Sequence, residues 1–245
     1  VNESILNPLM YYRSNIFISL NLLEAMDKFK INKLIFSSSA TVYGNNYKSP
    51  LKENMELHSV NPYGSTKIII EQLINDFSKI NTKFTAFSLR YFNPIGANTE
   101  AGLSEKPLGE PQNLLPSLIQ SVKSKKIFKI FGNDYNTRDG TCIRDYIHVK
   151  DLAEAHLLAF NELKNQRGHN TINIGLGKGL SVLEIINLFE KVNKIKIRYK
   201  FSSRREGDTD ISYACVNKAK EILNWKPKYS YDNMVNDAWN AQFRN

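Results

Sequence analysis

Apolar residues recur along the first part of the chain at spacings that alternate between helical and extended. Residues 33–38 (KLIFSS) and 84–90 (FTAFSLR) are short apolar runs of the kind that form buried strands. The Asn61-Pro62 pair predicts a helix that begins at Pro62 and runs to about Ile80. A helix over residues 8–30 is indicated by apolar side chains three or four apart, at Ile16, Leu20, Leu23 and Met26. This alternation is typical of a parallel sheet covered by helices, so we predict an α/β fold.

The pattern changes after Asn93, where a loop rich in Gly, Pro and Glu runs to about Gln112. A helix over residues 114–123 and a hairpin-like segment over 131–140 follow. Later segments predict a strand (TINIG), a helix from Ser181 to about Val192, a strand (IKIRYKF) and two final helices. We therefore divide the chain into residues 1–93, which belong to the first sheet, and residues 94–245, which form mainly a second, smaller lobe with some segments returning to the first domain.

Length and composition are those of an ordinary globular protein. The chain has 245 residues, 42% hydrophobic and 23% charged, which is enough to bury a substantial core. No apolar stretch approaches the roughly 18 residues that span a bilayer, and there is no secretory leader pattern, so we expect a cytoplasmic protein without membrane contact. The sequence begins at Val1 and a helical pattern starts almost at once, which we interpret as a fragment of a longer protein.

The net charge of +9 comes from dispersed lysines, with clusters at residues 123–129 and 191–200. Such lysines most simply form a solvated surface, although they would also attract a pyrophosphate; we expect no nucleic-acid partner. Cys142 and Cys215 form no CxxC or His-paired cluster, so neither a disulfide nor a metal site is predicted.

The segment from Tyr63 to Lys67 (YGSTK) opens the second helix. Residues four apart share a helix face, so the tyrosine hydroxyl and the lysine ammonium can converge. A nearby cation favours a phenolate, so we expect the pKa of Tyr63 to be lowered toward neutrality, which would make it a usable base. Tyr-x-x-x-Lys alone is common by chance. It is supported by the hydroxyl cluster Ser37–Ser39, placed where a buried strand ends and where open α/β sheets bind their ligands.

These motifs, in order, resemble the extended short-chain dehydrogenase/reductase family. Five blocks, FSSSATVYG, NPYGSTK, LRYFNPIGA, FGNDYNTRDGTCIRDYIHVKDLA and RREGD, are similar to those of its UDP-glucose 4-epimerases along nearly the whole chain. Related nucleotide-sugar dehydratases usually place an acidic residue just after their Ser or Thr, whereas here Ala40-Thr41 follow Ser39, which argues against a dehydratase. The resemblance implies the C-terminal part of a Rossmann-like, doubly wound parallel sheet with a smaller α/β substrate-binding lobe.

The resemblance also implies an isomerase of galactose metabolism that interconverts UDP-glucose and UDP-galactose by transient oxidation at sugar C4, with NAD as cofactor. Tyr63 would be the base, Lys67 would support the phenolate, and Ser39 would bridge the sugar oxygen. The cofactor contacts implied are Ser37, Ser38, Ser39, Tyr63, Lys67, Tyr91 and Phe92.

The glycines of Gly175–Gly179 are spaced GxGxG rather than GxGxxG, and we assign them to a turn before a helix capped by Ser181.

Substrate contacts are implied for a second set of residues. They are Ser39, Tyr63, Asn93, Asn113, Leu114, Phe131, Arg144, Arg205, Asp208 and Ser212. Arg144, Arg204 and Arg205 are the best anion ligands by chemistry, because guanidinium groups bind phosphate oxygens bidentately. Ser212 stands where some relatives carry a bulky tyrosine, so UDP-N-acetylhexosamines are a further candidate substrate. His148 lies in an apolar run and is assigned no chemistry.

Two helices, over residues 8–30 and 62–80, form the dimer contact in the family, so a homodimer is expected. The dinucleotide fingerprint should precede Val1, so the isolated chain should bind NAD weakly and be inactive. Epimerases often carry an Asn that binds the cofactor after a pair of tyrosines like Tyr11-Tyr12. This chain has Arg13-Ser14-Asn15 there, so we leave that cofactor contact unassigned. Alternatives are a UDP-glucuronate epimerase or decarboxylase, or a non-catalytic nucleotide-sugar sensor.

Overall fold

A computed structural model describes residues 1–205 and 207–242, and its chain forms two compact units. Unit 1 comprises Val1–Phe92, Glu154–Ile174 and Ala214–Trp225. Unit 2 comprises Asn93–Ala153, Gly175–Tyr213 and Lys226–Asn245. The second lobe therefore begins at Asn93, and two later segments return to the first unit.

The helices, in chain order, are α1 (Asn2–Leu6), α2 (Pro8–Lys28), α3 (Pro62–Ile80), α4 (Leu114–Lys123), α5 (Val149–Glu162), α6 (Val182–Asn193), α7 (Asn217–Leu223) and α8 (Tyr231–Asn240). The strands are β1 (Lys33–Ser39), β2 (Thr85–Tyr91), β3 (Asn93–Ile95), β4 (Phe128–Phe131), β5 (Ile143–Arg144), β6 (Tyr146–His148), β7 (Gly168–Ile174), β8 (Leu180–Ser181), β9 (Tyr199–Ser202) and β10 (Ile211–Ser212). A 3₁₀ turn spans Ala40–Tyr43. In the part of the chain described, no helix is long and apolar enough to cross a membrane.

Unit 1 is built on a parallel sheet in the order β1-β2-β7. The central strand β2 is buried along almost its whole length, as expected for a parallel strand covered on both faces. Helices α2 and α3 pack on the sheet through Leu23, Ile70 and Ile74. The rings of Phe77 and Phe84 meet edge to face with centroids 4.8 Å apart. The predicted α/β fold with a parallel sheet is confirmed.

Unit 2 contains three small sheets around a helical core. Their strand orders are β10-β5-β8, β3-β6 and β4-β9. Helices α4, α6 and α8 supply the buried residues Leu118, Phe189 and Met234. Ser181 caps α6 in a capping box with Glu184, as the sequence predicts.

Three of the predicted elements differ from the structure. The hairpin predicted over residues 131–140 is wrong, because β4 pairs in parallel with the distant β9, and β5 pairs with β8 and β10. The intervening segment is a loop closed by a hydrogen bond of 3.0 Å from Tyr135 N–H to the Gly140 carbonyl. Two glycines at positive φ, Gly132 and Gly140, give this loop the turn signals of a hairpin. The strand predicted from residue 195 begins only at Tyr199, and the helix predicted to residue 30 ends at Lys28.

Candidate active site

The carboxyl end of β1 carries the serine cluster of unit 1. Successive residues of a strand face opposite sides, so Ser37 and Ser39 face one side and Ser38 the other. Ser38 is fully buried, and its hydroxyl donates to Glu71 at 2.5 Å. The cofactor contact predicted for Ser38 stays a prediction, because its hydroxyl is already engaged inside the protein.

The first turn of α3 brings Tyr63 to this strand end. Asn61 caps the helix by accepting from the N–H of Gly64 at 2.9 Å, and Pro62 occupies the first turn. A Cβ on Gly64 would lie 2.1 Å from the Ser59 hydroxyl oxygen and 2.8 Å from the Thr41 carbonyl oxygen. Glycine in the YGSTK motif therefore permits a close approach of the helix to the chain that follows β1.

Ser39 is oriented by Thr41, a residue to which the sequence motif assigned no role. The Ser39 Oγ accepts from the Thr41 N–H at 3.2 Å and from the Thr41 hydroxyl at 3.0 Å. A serine hydroxyl has two acceptor sites and one donor. With both acceptor sites filled, the Ser39 hydroxyl can act as a donor, and its hydrogen bond with Tyr63 lowers the pKa of that phenol. The spacing of Ser39 and Thr41, two residues apart in the sequence, is the signal from which this contact could have been predicted.

The electrostatics of Tyr63 differ from the sequence prediction. Burial raises the pKa of Tyr63, the nearby Tyr91 raises it further, and only the hydrogen bond with Ser39 lowers it. The expected lowering of the pKa by Lys67 is wrong for this structure, because the lysine ammonium has other contacts. It donates to the Ser37 carbonyl at 2.9 Å and lies 4.8 Å from the Phe36 ring centroid and 5.4 Å from that of Tyr63.

Two further predicted cofactor residues lie at the end of β2. Tyr91 is aligned with Ser39 in the sheet and lies close enough to affect the charge state of Tyr63. Its ring is 6.0 Å from that of His156. Phe92 is buried in a cluster with Val42 and Tyr43, so its contact with a cofactor stays a prediction.

Unit 2 brings together five of the predicted substrate residues. The two oxygens of Asp208 are paired with the guanidinium groups of Arg144 at 3.3 Å and Arg205 at 3.2 Å. The Arg205 guanidinium lies 4.9 Å from the centroid of the Phe131 ring. Ser212 is aligned with Arg144 in the β10–β5 ladder. We call Phe131, Arg144, Arg205, Asp208 and Ser212 the arginine cluster.

The other predicted substrate residues are placed differently. Asn93 is exposed at the start of β3, and its N–H donates to the Asp145 carbonyl at 3.0 Å. Asn113 precedes α4 and donates to Glu105 at 2.7 Å, and Leu114 packs against the unit 2 core. A role of these residues in substrate binding stays a prediction.

Arg204 does not join the arginine cluster. It pairs with Asp134 at 2.8 Å and with Asp210 at 3.8 Å, and it stacks 4.2 Å from the Tyr135 ring centroid. Across residues 1–205 and 207–242, the Tyr135 hydroxyl is the one buried side-chain polar atom without a hydrogen-bond partner. Burial and the nearby Asp208 raise the pKa of Tyr135 to about 12, so the hydroxyl stays neutral and can donate. A buried hydroxyl beside the arginine cluster suits a polar ligand.

His148 has the structural environment that the sequence predicts. It is fully buried, its Nε2 lies 3.2 Å from an Asp237 oxygen, and its Nδ1 accepts from the Lys150 N–H at 3.0 Å. Its ring stacks on Tyr229 with centroids 4.2 Å apart. Nothing in these contacts requires chemistry from the imidazole. In the described residues, no cluster of three or more His, Cys, Asp and Glu side chains could hold a metal.

A parallel α/β sheet with Ser, Tyr and Lys at its carboxyl edge, in a chain that also carries the arginine cluster, is the arrangement expected of the extended short-chain dehydrogenase/reductases. Residues 1–175 match the NAD dependent epimerase/dehydratase family, and the chain belongs to that family. The UDP-glucose 4-epimerase of Bacillus subtilis (strain 168) is 43% identical over 246 residues, which cover all of this chain and 73% of that protein.

Solved structures agree with this assignment. The UDP-glucose 4-epimerase of Stenotrophomonas maltophila, with bound NAD and formylated UDP-arabinopyranose, has a TM-score of 0.96 and 42% identity over 99% of this chain and 73% of its own. That of Bifidobacterium longum, in complex with NAD+ and UDP, has a TM-score of 0.94 and 41% identity over 100% of this chain and 73% of its own. The predicted resemblance and the NAD dependence of the family are confirmed.

Proposed function

We propose that the protein carrying this chain interconverts UDP-glucose and UDP-galactose by reversible oxidation at C4 of the sugar. The observation that carries the proposal is the hydrogen-bonded pair of Ser39 and Tyr63 with Lys67 on the same face of α3. A ligand-binding protein needs no base of this kind. The identity to UDP-glucose 4-epimerases over the whole chain supports the same assignment.

The residues present fit NAD as the resident cofactor. The Lys67 ammonium has three N–H donors and uses one on the Ser37 carbonyl, so two remain for hydroxyl oxygens such as those of a ribose. Ser37 lies near the carboxyl end of β1, and Tyr91 lies at the carboxyl end of the neighbouring strand β2. When bound, NAD supplies a reversible two-electron acceptor for the sugar carbon.

The chain's own groups move the proton. Tyr63, as the phenolate, accepts the proton of the sugar 4-hydroxyl, and the hydrogen bond with Ser39 is the contact that favours this charged form. Thr41 fixes the lone pairs of Ser39, so the Ser39 hydrogen supports the phenolate oxygen. After the sugar has presented its opposite face, Tyr63 returns the proton, and the product is the 4-epimer.

We further propose that unit 2 binds the uridine diphosphate. Arg144 and Arg205 can exchange their shared Asp208 contacts for phosphate oxygens, which suit a guanidinium fork. The Tyr135 hydroxyl offers a buried donor that lacks a partner. Phe131 is about one third exposed, at 37%, which leaves part of its ring available to a ligand.

Substrate range is a separate proposal that rests on Ser212. A serine at this position leaves more room than a tyrosine would, so we propose that UDP-N-acetylhexosamines are also accepted. Ser212→Tyr should then lower kcat/KM for UDP-N-acetylgalactosamine far more than for UDP-galactose. No turnover of the N-acetyl sugar by the parent, under conditions where UDP-galactose reacts, would remove this proposal.

Homodimerisation through α2 and α3 is proposed on the same resemblance. Helix α2 exposes Leu9, Phe17 and Ile18, at 82%, 62% and 63%, an apolar surface that a second copy could cover. Sedimentation of the full-length protein should give a dimer, and Phe17→Asp should shift it to the monomer. A monomeric parent at micromolar concentration would contradict the proposal.

Product analysis tests the activity itself. The full-length protein that carries this sequence is incubated with UDP-galactose, UDP-glucose and UDP-glucuronate, and the products are separated by ion-exchange chromatography. We expect the first two to interconvert and the third to remain unchanged. Selective turnover of UDP-glucuronate would instead identify a glucuronate epimerase or decarboxylase, and binding without turnover of any of the three would indicate a nucleotide-sugar sensor.

A further inference from the structure

One stripe of α3 faces the end of β1 with three polar residues spaced four apart. The first two, Tyr63 and Lys67, contact Ser39 and the carbonyl of Ser37, and they are the reacting pair of the proposed function. The third is Glu71, one helical turn further on and buried at 4% exposure. Neither the sequence motifs nor the family assignment gives this carboxylate a role.

Glu71 holds the middle serine of the cluster. Its Oε1 accepts from the Ser38 hydroxyl at 2.5 Å, and Arg90 donates to Oε1 at 2.9 Å and to Oε2 at 2.5 Å. Arg90 also donates to the Tyr43 hydroxyl at 3.0 Å, which in turn donates to Asn173 Oδ1 at 2.7 Å. All five side chains are buried, so the network is closed and its geometry is fixed.

Such a network is an unusual way to obtain stability alone. Two buried charges lose their hydration, and an apolar pair of similar volume is often as stable. The ion pair instead fixes the orientation of the Glu71 carboxylate, because that carboxylate must bind Arg90 and Ser38 at the same time. Ser38 lies between the two residues of β1 that contact Tyr63 and Lys67. Any displacement of Ser38 therefore moves both partners of the reacting pair.

We infer that Glu71 is a positioning residue, which through Ser38 fixes the end of β1 against α3 so that Ser39 meets Tyr63 and the Ser37 carbonyl meets Lys67. This inference rests on the proposed function of the Tyr63 and Lys67 pair. The charge of Glu71 has a second effect in the same direction. Burial lowers the pKa of Lys67, and Glu71 raises it, which helps to keep the ammonium protonated beside Tyr63.

The strand next to β1 offers a matched control. Ser88 lies on β2, is fully buried like Ser38, and makes one side-chain contact, to His169 Nε2 at 2.7 Å. It is aligned with Phe36 rather than with the serine cluster. Ser38→Ala and Ser88→Ala each remove one buried hydroxyl from the same sheet, so a purely structural role predicts the same consequence for both.

The experiment compares both variants in the full-length protein by turnover and by the titration of Tyr63. The phenol carbon of labelled tyrosine is followed by NMR, and Tyr63→Phe identifies its resonance. We expect Ser38→Ala to lower kcat by about tenfold to a hundredfold with KM changed less than about twofold, because misplacing a reacting group reduces the rate rather than binding. The pKa of Tyr63 should rise, because the hydrogen bond with Ser39 that lowers it is weakened. Ser88→Ala should leave kcat and the titration near the parent values.

Equal losses of kcat in the two variants, or an unshifted Tyr63 titration in Ser38→Ala, would overturn the inference. Glu71→Gln provides a second test, since the amide keeps one acceptor oxygen but loses the charge. It should lower kcat at least as much as Ser38→Ala does with KM little changed, because Arg90 and Ser38 lose the carboxylate that holds them, and a kcat near the parent value would contradict the positioning role. Because the titration needs no turnover, an inactive parent would refute the proposed epimerase function and still leave this inference tested.

Discussion

The stability of unit 1 should depend on pH through one half-buried histidine, His169 on β7. Burial lowers the pKa of His169 from its ordinary 6.5 to about 4. Glu71 raises it, whereas Arg90 and Lys218 lower it further. The ring is hydrogen-bonded with Ser88 on the neighbouring strand. The folded protein therefore resists protonation of a group that the unfolded chain protonates readily.

The sign and size of the effect follow from these two pKa values. Below pH 6.5 the unfolded chain takes up a proton at this histidine, and the folded chain does not until about pH 4. Stability is therefore complete above pH 6.5 and is lost as the pH falls from 6.5 to 4. A difference of about 2.5 units, at about 1.4 kcal/mol each, corresponds to a loss on the order of 3 kcal/mol.

The two tryptophans allow this loss to be measured in one unit. Trp225 lies in unit 1 and Trp239 in unit 2, so Trp239→Phe leaves a fluorescence signal from unit 1 alone. Urea unfolding is followed in this background between pH 7 and pH 4, with and without His169→Gln. The glutamine variant should lose about 3 kcal/mol less over this range than the parent. Parallel pH dependences of the two proteins would show that His169 does not carry the effect.

Three further results are expected. Phe84→Ala should lower the free energy of unfolding of unit 1, read from Trp225 fluorescence, by about 3–5 kcal/mol, because it leaves a cavity at a fully buried position. A loss under about 1 kcal/mol would show that neighbouring side chains fill the cavity. Arg144→Gln should weaken UDP binding at least about tenfold in calorimetry, whereas Arg204→Gln, whose guanidinium is engaged by acidic residues, should bind nearly as the parent; equal losses would contradict the assignment of the arginine cluster. Lys67→Met should lower kcat, because the ammonium that holds the Ser37 carbonyl beside Tyr63 is lost; a kcat within a few-fold of the parent would contradict its role.

The elements that the sequence predicts well are those whose signal is local. Helix α3 has its cap, its proline and its apolar face within one segment, and its bounds match the predicted ones. The paired strands of unit 2 are two to four residues long and join distant segments, as with β4 and β9. Their pairing is fixed by tertiary packing, which a local pattern does not contain.

The same distinction separates the parts of the candidate site. The spacing of Tyr63 and Lys67 and the position of the serines could be read directly, because each motif lies on one element. The raised pKa of Tyr63 could not, since it results from burial of the assembled site. Glu71 was missed because a carboxylate on a helix normally faces water, and its partner Arg90 is brought to it only by the fold.

The proposed function depends above all on Tyr63 acting as the base. The most direct measurement is conversion of UDP-galactose into UDP-glucose by the full-length protein that carries this sequence, compared with Tyr63→Phe at matched NAD content. The proposed role predicts steady epimerisation by the parent and a loss of at least about a hundredfold in the variant, with the fold intact by circular dichroism. A phenylalanine variant that retains activity within a few-fold of the parent would contradict it.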